Sequence, residues 1–145
     1  MSFRCQVDVL VEDEEGNFLV FQQHNYGLKA TSLAVVSRHL SPFEAALKGG
    51  KAELLSEMQR VSDNWIELGE YRGDANRGAG LVTCLLARHS KSTSQQPAVS
   101  QDLETKELVV LSPQALKDAL LSNKFLEVKW AATAALGLLQ LQGSD

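Results

Sequence analysis

Glu53 and Glu57 stand four residues apart in the stretch RHLSPFEAALKGGKAELLSEMQR, which runs from Arg38 to Arg60. On a helix that spacing puts their carboxylates side by side on one face. Two like charges held together repel unless a cation lies between them or water screens them. The pair therefore asks for a positive partner or for open solvent, and a solvated helix face is a common arrangement. The helix itself carries a start signal. Ser41 and Glu44 have the S-x-x-E spacing of a capping box, and Pro42 falls at the first helical position, where its missing N–H costs nothing. Phe43, Leu47, Gly50, Leu54 and Met58 recur at steps of four and three, which predicts an apolar helix face.

Gly49 and Gly50 disturb that reading, because each costs about 1 kcal/mol relative to alanine inside a helix. Either they admit a close neighbour, or the segment breaks into 42–48 and 51–60.

At these residues the sequence resembles the Nudix hydrolases, which cleave nucleoside diphosphates linked to another group. Their box reads G-x5-E-x7-R-E-U-x-E-E-x-G-U, with U aliphatic. Laid from Arg38 to Arg60 without a gap, it matches at Glu44, Glu53, Leu54 and Glu57. It departs at Arg38 (first Gly), Ala52 (Arg), Ser56 (first Glu of the pair), Gln59 (last Gly) and Arg60 (closing aliphatic). SPFEAAL also resembles the opening of the family helix, but about one turn earlier. In that alignment Glu44 is an ordinary helix residue, while Glu53 and Glu57 keep their places. The flanks extend the likeness to most of the chain: GNFLVFQQHNYG upstream, NWIELGEYRGDANRGAGLVTCLLAR after the box, and DLETKELVVLSPQALKDAL near the end.

The resemblance implies an α/β/α sandwich with a mixed β-sheet. It also implies Mg²⁺, held by helix carboxylates and activating a water for pyrophosphate cleavage. By that likeness Glu57 is the principal metal ligand, and Glu53 a second ligand or water-orienting base. Asp102, Glu104 and Glu107 resemble a late acidic segment from which Glu104 would add a metal ligand; an acidic loop end is the plainer reading. Arg72 and Arg77 flank Asp74 and glycines, and either bind a phosphate or pair within their own turn. His24 and Tyr26 face a ligand or are surface loop residues. The departures remove ligands: Ser56 brings no charge, Ala52 removes an orienting guanidinium, and Ser37-Arg38 replaces flexible glycines. Arg38 suggests a replacement, its guanidinium standing near Glu53 and Glu57 where the metal would be.

Composition sets wider bounds. The chain has 145 residues, 44% apolar, and a net charge of −4, which predicts one domain over 1–145 with room for a core. No basic stripe suits a nucleic-acid backbone. Cys5 and Cys84 lack CxxC spacing and read as small buried hydrophobes. No signal-peptide pattern follows Met1, and no apolar run approaches the ~18 residues of a membrane span. A cytoplasmic location is the default, and an organellar one stays open.

The elements that position these residues follow from local pattern. Strands are predicted at Cys5–Val11, Phe18–Phe21, Leu33–Val36, Asn64–Leu68, Leu81–Ala87 and Leu108–Leu111. Loops are predicted at Gln22–Thr31, Gly69–Gly80 and His89–Gln101. Ser112 and Pro113 open a helix to about Leu121, and Leu126–Leu141 closes the chain as another. Two functions suit this pattern. The first is a Nudix-fold protein with an eroded box, serving as a binding or structural subunit with protein partners or a nucleotide-like ligand. The alternative is a Mg²⁺-dependent hydrolase of ADP-ribose-like substrates using Glu53, Glu57 and a carboxylate from the Asp102–Glu107 segment.

Overall fold

The computed structural model describes residues 5–25, 29–74, 79–93 and 106–143. At its centre lies β1 (Gln6–Asp13), whose Val7, Val9, Leu10 and Val11 have no exposed surface. A strand covered on both faces is a near-continuous apolar run, as this one is. On one side β1 pairs in parallel with β7 (Ala79–Ser92), with Val9 opposite Leu85. On the other side it pairs antiparallel with β4 (Val36–His39) and then with β2 (Phe18–Asn25). Strand β3 (Ala30–Ala34) pairs with the far half of β2 and is separated from β4 by Val35 alone. The outer strands are β5 (Arg60–Val61) and β6 (Asn64–Asp74) on β7, and β8 (Lys106–Leu111) on β2. One parallel pair among antiparallel ones makes the sheet mixed, as expected.

Among the described residues, three helices cover the sheet: α1 (Ala46–Met58), α2 (Pro113–Leu121) and α3 (Val128–Gln142). Glycine contacts show which face each takes. A Cβ on Gly50 of α1 would meet Val9 and Leu85, whereas a Cβ on Gly137 of α3 would meet Leu10. Val9 and Leu10 are neighbours on one strand and so point to opposite faces. Helices α1 and α3 therefore sandwich the sheet, with α2 packed beside α3. Leu54 is the fully buried side chain of α1, and burying a leucine contributes about 1.5–3 kcal/mol.

Several expected boundaries move. The first helix begins at Ala46 rather than Pro42, its N-cap is Ala45 without a side-chain cap, and it runs unbroken through Gly49 and Gly50. Close approach, not a break, accounts for those glycines: Gly50 rests on the sheet and Gly49 on Leu40. Phe43 lies outside the helix with φ of +67° and is fully exposed, and Leu47 is half-exposed, so neither extends the apolar face. The loops expected at Gln22–Thr31 and Gly69–Gly80 are largely hairpin strand, and β7 continues to Ser92. In the first of these hairpins one face meets solvent, so outward polar residues such as Gln22 and His24 hide the strand from a reading by hydrophobicity. Cys84 is buried and Cys5 partly so, both as free thiols.

The face of β1 toward α3 holds a polar cluster. Asp8 is fully buried, and its Oδ1 accepts hydrogen bonds from Gln6 Nε2 at 2.8 Å and Ser37 Oγ at 2.7 Å. Its Oδ2 has no hydrogen-bond partner among the described residues. Burial pushes the Asp8 carboxyl above its ordinary value, against the lowering effect of those two hydrogen bonds.

Candidate functional site

Strand pairing decides where Arg38 points. On β4, Ser37 is opposite Asp8 and Arg38 is opposite Val7. Residues directly opposite in a sheet share a face. Ser37 therefore turns toward α3, and Arg38 turns with Val7 toward α1. Past β4 the chain is held by a hydrogen bond from Leu40 N to Cys5 O and turns at Ser41–Glu44, where Glu44 N donates to Ser41 O at 3.0 Å. The Glu44 side chain reaches back to accept from Ser41 N at 3.0 Å. Half of the expected capping box thus forms, but in a turn ahead of the helix.

The guanidinium of Arg38 lies between two carboxylates. Its Nη2 donates to Glu44 Oε2 at 3.0 Å, its Nε to Glu44 Oε1 at 3.4 Å, and its Nη1 to Glu53 Oε1 at 3.2 Å. The planar fork of arginine suits such two-sided pairing. The Ser41 N–H and, after it, Arg38 hold the Glu44 carboxyl below its ordinary value. Gly49 leaves room for this arrangement. A Cβ there would overlap Leu40 Cδ2 and touch both Glu44 and Arg38.

Glu57 meets a different cation. Its Oε2 is 3.9 Å from Nζ of Lys106 at the start of β8, and that ammonium also lies 5.6 Å from the ring centre of Phe21. Arg38 thus pairs with Glu53 and Glu44, and not with both residues of the Glu53/Glu57 pair. Lys106 was missed from sequence because its place depends on β8 pairing with β2, with Lys106 opposite Gln23. No local spacing carries that information.

A divalent cation such as Mg²⁺ requires oxygen ligands stripped of competing donors. Here Glu44 and Glu53 are turned onto a guanidinium, Ala52 and Ser56 are exposed and uncharged, and no cluster of three His, Cys, Asp or Glu converges among the described residues. Among the described residues, this donor set does not fit the ion. The Glu44 carboxyl, held low, is also a poor proton acceptor.

The cavity that includes Glu57, Lys106 and Ser37 measures about 80 Å³, well under the roughly 300 Å³ at which small-molecule pockets begin. A larger groove of about 580 Å³ is lined by Gln22, Leu33, Val109, Ala115 and Ala119. Gln22 and Phe21 are neighbours on β2 and point to opposite faces, so this groove lies across the sheet from Glu57.

Of the other residues singled out from sequence, His24 lies exposed on β2 opposite Thr31, and Arg72 lies exposed on β6 opposite Leu81. Asp74 is at the end of the same strand. Tyr26, Arg77, Asp102 and Glu104 fall outside the described residues.

The mixed sheet, the three helices and their order define a Nudix-like fold. An ADP compounds hydrolase known from its crystal structure superposes with a TM-score of 0.81 at 14% identity, over 98% of this chain and 75% of that one. A NUDIX hydrolase from Nitrosomonas europaea superposes with a TM-score of 0.67, also at 14% identity, over 93% of this chain and 88% of that one. The sequence matches no family model and no curated protein. At such identity the likeness establishes the fold and leaves function to the site.

Proposed function

We propose that this chain is a Nudix-fold protein with an eroded catalytic box, acting as a binding or structural module and not as a pyrophosphohydrolase. The observation that carries this reading is Arg38 set between Glu44 and Glu53. Pyrophosphate cleavage of the Mg²⁺-assisted kind needs carboxylates free to hold the ion and a base free to take a proton from water. Arg38 occupies two of the three box carboxylates, and Lys106 faces the third. Alanine at position 52 and serine at position 56 add no charge. With catalysis set aside, the intact fold serves recognition: of a protein partner in an assembly, or of a nucleotide-like molecule that is held and not cleaved.

The test is turnover of ADP-ribose and a panel of nucleoside diphosphate derivatives with Mg²⁺ or Mn²⁺, beside the Glu53→Gln/Glu57→Gln variant. The expected result is the same background rate for both folded proteins. Turnover by the wild type that is lost in the variant would establish the hydrolase and overturn this reading.

A further inference from the structure

We infer that Arg38 is a resident cation: it cross-links the Ser41–Glu44 turn to α1, and it keeps divalent ions away from Glu44 and Glu53. The inference rests on the non-catalytic reading above and says how the site is closed. Three independent features carry it. Register places the Arg38 side chain on the α1 face of the sheet, because Arg38 is opposite Val7 while its neighbour Ser37 is opposite Asp8. Its three nitrogens are shared between carboxylates from two segments, the turn and the helix, at 3.0 to 3.4 Å. Gly49 then removes the side chain that would crowd Leu40 and lie against this bridge.

The charges agree with this assignment. Glu44 receives donors from Arg38 and from the Ser41 backbone, so its two oxygens already hold three hydrogen bonds. A divalent ion bound here would have to break these and the contact to Glu53. It would also have to tolerate the guanidinium left beside it, on a side chain only 33% exposed. Ion and arginine are mutually exclusive at these oxygens. Removing the guanidinium should therefore leave two carboxylates facing one gap, the arrangement that draws in a divalent cation.

The experiment is a Mn²⁺ titration of the full chain, wild type and Arg38→Ala, read by electron paramagnetic resonance of free Mn²⁺ and by thermal unfolding. Wild type should show no Mn²⁺-dependent rise in Tm. Arg38→Ala should unfold at a lower temperature without metal, regain stability as Mn²⁺ is added, and bind Mn²⁺ roughly tenfold or more tighter than wild type. Adding Glu53→Gln to Arg38→Ala should abolish the gain. If Arg38→Ala does not fold, Arg38→Lys, which keeps a charge but loses the two-sided fork, should show a smaller gain in the same direction. Equal Mn²⁺ affinity in wild type and the folded variant overturns the inference, even if no turnover is found. Turnover by wild type overturns the non-catalytic reading, whatever the titration shows.

Discussion

Gly50 of α1 rests directly on Leu85 of β7: a Cβ added to Gly50 would stand 3.1 Å from Leu85 Cδ1 and 3.3 Å from Val9 Cγ2. Both neighbours are sealed in the core, so neither can yield without disturbing its own packing. The helix gains about 1 kcal/mol from alanine over glycine, while overpacking costs about 1–3 kcal/mol. Gly50→Ala is expected to destabilise by about 1 kcal/mol. Gly49→Ala overlaps the end of the partly buried Leu40 side chain, which can rotate, and makes only ordinary contact with Glu44 and Arg38. That variant should be unchanged or more stable by up to about 1 kcal/mol. Urea unfolding of both variants checks the contrast; equal losses would show that the two glycines are alike.

Gln59 ends α1 in the left-handed region, with φ of 55° and ψ of 43°, while its N–H donates to Leu55 O. Glycine adopts this conformation without the crowding of a Cβ. Gln59→Gly is expected to stabilise the protein by about 0.5–1 kcal/mol, read as a higher urea midpoint at constant slope. The Thr93 N and Oγ1 hydrogen bonds go to the Gln59 carbonyl and survive the change.

Two carboxyls should shape the pH dependence of stability with opposite signs. Asp8 is pushed above the ordinary 3.8 by burial, beside Gln6 and Ser37 and within the fields of Glu127 and Lys129, and it lies next to the Cys84 thiol. A raised folded pKa means the fold holds the proton more tightly than the unfolded chain. The Asp8 contribution is therefore full below pH 3.8 and is lost as pH rises through the folded value. Glu44 is lowered, first by the Ser41 backbone and then by Arg38, so its contribution is present above 4.5 and lost as pH falls through the folded value. Asp8→Asn should remove the decline on the rising side, and Glu44→Gln should flatten the acid side. Unfolding free energies from pH 3 to 8, roughly the carboxylate range and above it, measure both slopes. A wild-type slope retained in Asp8→Asn would remove Asp8 from the account.

Much of the frame was legible without coordinates. The apolar runs around VDVLV and LVTCLLA became the paired central strands β1 and β7, since a strand buried on both faces needs such a run. Ser112 and Pro113 open α2 as read, with Ser112 Oγ accepting from Ala115 N at 3.1 Å. These are local signals, set by residues a few positions apart. The first helix misled for the same local reason. S-P-F-E satisfies the start rules, yet the Glu44 carboxylate is drawn back to Ser41 and across to Arg38, and the helix waits until Ala46.

The sequence by itself determined that Glu53 and Glu57 share a helix and that either a cation or open solvent must answer them. Only the tertiary structure decided which cations, and it divided the pair: Arg38 for Glu53, Lys106 for Glu57. The reason is the two-residue period of a strand. Whether Arg38 faces α1 or α3 depends on a single step in the register between β4 and β1, and Lys106 depends in the same way on β8 against β2. Those registers are fixed by packing across the whole sheet, among residues far apart in the chain.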